Sequence, residues 1–226
     1  MKTTKEIGMV IRLPEEIIQE AEKIQLLLKK NFENNKFEIL EPENIFHITL
    51  FQINIEEDKL EILDRIVEEI SKNQESFEII LDPHLEDTQK RIFWNSTALK
   101  FNSSFRNLHC RVVDSAVELK AELPMKQFRD KNYNEEEKIC LQKYGMPKHP
   151  FANLNPHITI FYNSEKDRYN VEENFIKIRD VMKDIEIPKL KFNLKEISIV
   201  ELGEEGNIIN ILNTFNVKNI SKDIKV

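Results

Sequence analysis

Two tetrapeptides in this chain carry the side chains with the clearest chemical potential: His47-Ile48-Thr49-Leu50 and His157-Ile158-Thr159-Ile160. In an extended strand successive side chains point to opposite faces, so His47 and Thr49 share one face while Ile48 and Leu50 anchor the other. The second copy repeats the arrangement. Histidine is scarce here, 5 residues in 226, so its recurrence in the same polar-apolar setting is informative.

Two histidines facing one another suit phosphoester cleavage. One imidazolium protonates the departing oxygen while the other, neutral, takes a proton from the attacking water or hydroxyl. An unperturbed pKa of about 6.5 lets both protonation states coexist near neutrality. Thr49 and Thr159, two residues on and on the same strand face, would donate hydroxyl hydrogen bonds to the non-bridging phosphate oxygens. This chemistry requires neither metal nor cofactor. A metal site on the two histidines ranks last, because no carboxylate or cysteine stands at ligand spacing beside either one.

The elements that must position these residues are legible from periodicity. Residues 7–13 (IGMVIRL) read as a first strand; Pro14, Glu15 and Glu16 then open a helix with Ile17, Ala21, Ile24 and Leu28 on its apolar face. The first tetrapeptide lies in a strand at 45–53, followed by an amphipathic helix at 56–72 bearing Leu60, Leu63, Val67 and Ile70. Strands are expected at 77–81 and 91–101, then a helix capped by Ser103 or Ser104 with Phe105, Leu108, Val112, Ala116 and Leu119 inward. Residues 121–155 lose the pattern apart from a short helix near 135–143, and read as an insertion or lid. The second tetrapeptide heads a strand at 157–162; a helix capped by Asn170 and Glu173 follows, with Val171, Phe175, Ile178 and Met182 inward. Strands at 189–202 and 207–217 close the chain through a Gly203-to-Gly206 turn.

The second half therefore retells most of the first. That predicts a single α+β domain of two similar lobes related by a pseudo-two-fold, each a mainly antiparallel sheet with helices on its outer face. The two motif strands would face one another across the cleft between the lobes.

With 40% hydrophobic and 32% charged residues, the composition is that of a globular chain, and a net charge of −7 leaves no general basic footprint for double-stranded DNA. No stretch approaches the roughly 20 apolar residues of a membrane span. The opening MKTTKEIGMVIRLP lacks a secretory pattern, and two cysteines, Cys110 and Cys140, are too few and too unpatterned for a disulfide scaffold, so a cytoplasmic monomer is expected.

The paired motifs resemble those of the 2H phosphoesterase superfamily, defined by two His-x-Thr-hydrophobic motifs. The chain is most similar to its bacterial 2′-5′ RNA ligase and cyclic phosphodiesterase branch. The resemblance extends to Leu13-Pro14-Glu15-Glu16 after the first strand, Glu43-Asn44 before the first motif, Pro156 before the second and the final LKEISIVEL segment. It implies a metal-free hydrolase acting on a 2′,3′-cyclic phosphate or 2′-5′ linkage of a short RNA end or small nucleotide, with His47 the acid and His157 the base. The long 121–155 stretch departs from the compact pattern of the family. A non-catalytic nucleotide-binding module and a 2′-5′ RNA ligase are the alternatives; ligation without an energy source runs uphill in dilute solution.

Around the motifs, Phe161 and Tyr162 are candidate substrate-binding residues that could stack on a base. Arg91, Lys126, Arg129, Lys143 and Lys148 could reach a phosphate from the cleft rim. His84, His109 and His149 read as packed or solvated residues.

Overall fold

The computed structural model describes residues 3–31, 45–87, 91–152, 154–162, 182–183, 185–203 and 206–218. The helix expected from Asn170 to Met182 lies almost wholly outside these residues.

Strand β1 (Thr4–Arg12) runs between β2 (His47–Glu56) and β8 (Glu196–Leu202), and β9 (Ile208–Asn216) pairs with β8, giving a four-stranded antiparallel sheet in the order β2-β1-β8-β9. The central position of β1 follows from its composition: Ile7, Met9, Val10 and Ile11 are all fully buried, which only a strand covered on both faces permits. A second antiparallel sheet has the order β4 (Leu85–Asp87), β5 (Arg91–Asn95), β6 (His157–Tyr162). A third, two-stranded antiparallel sheet pairs β3 (Glu78–Ile80) with β7 (Lys191–Asn193).

Helix α1 (Glu15–Asn31) buries Ile17, Ala21, Ile24 and Leu28 and packs on β6 of the second sheet. Helix α2 (Leu60–Lys72) packs on β8 and β9 through Leu63, Val67 and Ile70. Helix α4 (Ser103–Val117) packs on β2, and its start is capped by Asn102, whose side chain accepts from the Phe105 N–H at 2.9 Å. The fold is thus α+β with two antiparallel lobes, as the element string predicts. The lobes are not the two halves of the chain: the C-terminal hairpin completes the first sheet, and α1, which follows β1, serves the second.

Three expected elements differ in detail. The strand expected over 91–101 ends at Asn95, and α3 (Thr97–Phe101) replaces its remainder. The reason is a long-range cap: the Asp82 carboxylate accepts from both the Thr97 N–H at 2.9 Å and the Thr97 hydroxyl at 2.6 Å. The strand expected over 189–202 divides into β7 and β8, which join different sheets, and β4 is a short strand that periodicity did not reveal.

Residues 121–152 are fastened to the first lobe. The Ala121 N–H donates to the Asn54 carbonyl at 2.7 Å, Asn54 Nδ2 donates to the Leu123 carbonyl at 2.9 Å, and the Lys126 N–H donates to Glu6 Oε1. Met125 is fully buried against Val10, Val200, Leu202 and Ile208. Beyond it α5 (Glu135–Tyr144) carries a capping box of Asn134 and Glu137, and Tyr144 reaches the core.

Candidate active site

The two motif strands occupy equivalent places in their sheets, down to the register. On β2 the pairs are Arg12 with His47, Ile11 with Ile48, Val10 with Thr49 and then Met9 with Phe51, so Leu50 is an extra, bulged residue. On β6 they are Asn95 with His157, Trp94 with Ile158, Phe93 with Thr159 and then Ile92 with Phe161, so Ile160 is the bulged residue. Ile48, Leu50, Ile158 and Ile160 are all buried at 2% exposure or less, whereas His47, Thr49, His157 and Thr159 keep partial exposure on the other face. Strands β2 and β6 are in contact, and His157 lies close enough to His47 to feel its charge.

Each imidazole is held the same way. His47 Nδ1 lies 2.7 Å from the Ile45 carbonyl, and His157 Nδ1 lies 2.7 Å from the Asn155 carbonyl. A carbonyl oxygen can only accept, so in both rings Nδ1 carries the proton and Nε2 is left for the cleft with its lone pair when the ring is neutral. Pro156, buried beneath the second motif, passes its carbonyl to the Ser96 N–H at 3.0 Å and ties the entry of β6 to the end of β5.

Electrostatics places the two rings in one field. Burial pushes the His157 pKa down to about 4, opposed by the Asn155 carbonyl, while the positive charges of Arg91, His47 and Lys100 push it further down. That His47 acts on His157 means the two imidazoles cannot both charge without mutual cost. His47 is lowered as well, by burial against the opposing bond to Ile45. Arg91 and Lys100, both of the second lobe, thus add positive potential at His157, a field that favours an anion there.

Sequence periodicity did not reveal four neighbours. Phe93, opposite Thr159, lies with its ring centroid 4.0 Å from that of His157 at 39° and walls one side of it. Asn95, opposite His157, is fully buried, and among the described residues neither of its amide atoms nor the buried Nε of Arg12, opposite His47, has a hydrogen-bond partner. Lys100 stands on α3, the helix that replaced an expected strand. These positions depend on cross-strand register and on a cap made fifteen residues away, neither of which local periodicity records.

The other sequence expectations divide. Phe161, expected at the cleft, is 2% exposed in the core: the bulge at Ile160 turns it away from the face that simple alternation assigns. Tyr162 pairs through its backbone with Arg91, and its side chain lies outside the described residues. Lys126 and Arg129 line a cavity of about 470 Å³ with Thr4, Glu6, Asn54 and Glu201, at the opposite end of β1 from Arg12 and His47. The Lys143 ammonium sits over the Tyr144 ring at 5.0 Å. His109 is buried on α4 with Nε2 3.3 Å from the Pro150 carbonyl, and His149 faces Tyr144. Among the described residues no helix is long and apolar enough to cross a membrane.

No protein-family model matches the chain, and no curated protein sequence does. Solved structures do. TT0787 of Thermus thermophilus superimposes with a TM-score of 0.60 at 15% identity, covering 95% of this chain and 99% of that one. E. coli LigT complexed with 3′-AMP superimposes with a TM-score of 0.56 at 14% identity, covering 96% and 99%, and LigT complexed with NADP+ gives 0.56 at 14%, covering 95% and 98%. At such identities the likeness establishes the fold, and the fold is the one expected from the resemblance to the 2H phosphoesterases.

Proposed function

We propose that this chain, built on that fold, is a metal-independent phosphodiesterase whose substrate is a 2′,3′-cyclic phosphate or 2′-5′ diester at the end of a short RNA or in a small nucleotide. The observation that supports it most is the matched pair of imidazoles: each is locked through Nδ1 to the carbonyl two residues before it, each offers Nε2 to the cleft, and His157 feels the charge of His47. The two rings disfavour each other's charge, so the pair favours carrying one proton rather than two. It is well suited to moving one proton across a phosphate.

In this reading the neutral His157 accepts a proton from water through Nε2 as the water oxygen attacks phosphorus. His47, protonated, gives its Nε2 proton to the leaving ribose oxygen as the P–O bond breaks. Thr49 and Thr159 donate to the non-bridging oxygens, and the charges of Arg91 and Lys100 favour the anion. Because both imidazoles are held below their ordinary pKa in the free protein, the proton on His47 is taken up as the phosphate binds; an adjacent anion raises the imidazole pKa. LigT, which shares the fold, forms complexes with 3′-AMP and with NADP+, which supports a nucleotide as the class of ligand. The cytoplasm and a monomeric state remain the expected setting, and residues 121–155 keep their reading as an insertion or lid.

The test is a turnover panel: 2′,3′-cyclic mononucleotides, short RNAs ending in a 2′,3′-cyclic phosphate, and 2′-5′ linked oligoadenylates, each with and without chelator. Hydrolysis of at least one class at an unchanged rate in chelator is expected. Saturable nucleotide binding with no turnover of any class would replace the enzyme with a binding module, and strand joining from cyclic-phosphate and 5′-hydroxyl ends would replace the hydrolase with a ligase.

A further inference from the structure

The bulges on β2 and β6 leave a backbone problem that the fold solves unequally. A bulged residue drops out of the strand ladder, and its carbonyl must find another partner if it is buried. For Ile160 that partner is Gln25, whose Nε2 donates to the Ile160 carbonyl at 3.0 Å. Gln25 is 8% exposed and stands on α1, which follows β1 of the first sheet but packs on β6 of the second. The reciprocal helix is α4, which precedes β6 in the chain and packs on β2. There the Leu50 carbonyl lies near enough to His109 to oppose the lowering of its pKa by burial, although His109 Nδ1 makes no well-formed hydrogen bond. Each motif strand is therefore backed by a helix that belongs, in chain order, to the other lobe, and Gln25 provides the stronger of the two braces.

We propose that Gln25 is a positioning residue for the second half of the site: by fixing the Ile160 carbonyl it holds the bulge that lets Phe161 join Ile160 in the core while Thr159 and His157 keep their register against Phe93 and Asn95. In a strand, a shift of one residue exchanges the two faces, so the bulge must be held if the polar and apolar sets are to stay sorted. Gln25 touches no reacting atom. Its influence on chemistry passes through Thr159 and His157 alone, which gives it a signature that general destabilisation lacks. The inference deepens the reading of the site given above and rests on it for the kinetic part of its test.

The experiment uses the full chain with Gln25→Leu, which keeps the bulk and loses the donor, and Gln25→Glu, whose carboxylate cannot donate but whose acid form can. On 2′,3′-cyclic AMP, Gln25→Leu is expected to lose about 10- to 100-fold in kcat, the scale of a misplaced catalytic group, with KM changed by less than about threefold. Side-chain NMR is expected to show the His157 resonances displaced and those of His47 in place. The activity of Gln25→Glu relative to the parent is expected to recover as pH falls through the carboxyl pKa, which burial against the Ile160 carbonyl raises above the ordinary value of about 4.3. A Gln25→Leu protein with kcat within about twofold of the parent and His157 unmoved would overturn the proposal, as would equal displacement of both histidines, or a Gln25→Glu ratio that stays flat with pH. If the parent turns over no diester, the proposed function fails while the NMR comparison still decides the role of Gln25.

Discussion

Replacing His47 or His157 by alanine is expected to lower kcat/KM on a cyclic phosphate by on the order of 10²–10⁴, the usual contribution of one positioned proton-transfer group. Folding should survive. Both side chains are partly exposed, and among the described residues the hydrogen bond each makes is to a carbonyl of its own strand entry. The residues that carry the packing load are behind them: Ile48, Leu50, Ile158 and Ile160. Because the two imidazoles act on one proton balance, the double variant should be far less impaired than the product of the two single losses, as groups working as a unit are not additive. Rates and thermal midpoints of the three variants check this. Single losses below about tenfold, or a double loss equal to the product, would mean the rings act separately.

The second large effect is in pH. As base, His157 must be neutral, and its pKa of about 4 in the free protein puts the rising limb of kcat/KM near that pH. As acid, His47 must be protonated, and burial lowers its pKa from 6.5, so the falling limb begins below 6.5. The profile of kcat/KM should be a bell in the acid range, falling about tenfold per unit on its alkaline side, so that at about pH 8.5 it stands at least about 100-fold below its maximum. Exchanging the two roles yields the same bell, since the limbs belong to the coupled pair. In kcat, which reports the complex, a bound phosphate raises both pKa values, and that optimum should be the more alkaline of the two. A flat profile, or a kcat/KM optimum above about pH 7, would contradict the electrostatics of the site.

The alternation of two was enough to read the four motif residues, because a strand with one apolar and one polar face leaves its signature in consecutive letters. It took the helical period to read α1, α2 and α4, whose apolar stripes are the buried ones. Alternation misplaced Phe161 because the bulge at Ile160 changes the parity of everything after it, and neither Gly nor Pro marks that bulge in the sequence. Phe93, Asn95 and Arg12 were invisible because their importance is cross-strand: which residue faces His157 depends on the register of β5 against β6, and no local pattern encodes it. The strand expected through residue 101 failed for a related reason, since the Asp82 carboxylate that turns Thr97–Phe101 into a helix comes from outside the segment. Gln25 reads as one more polar residue on an amphipathic helix until α1 is seen to cross to the other lobe. What depends on spacing along the chain was legible; what depends on which elements meet was not.

The proposed mechanism requires the two imidazoles to serve a single phosphate. Titrating the protein with 3′-AMP at about pH 6, while following the side-chain NMR signals of His47 and His157 in the same sample, tests it most directly. Both signals are predicted to move together along one saturation curve with one equivalent of nucleotide, toward the protonated form in at least one ring. Movement of one histidine alone, or two separate curves, would contradict a shared site.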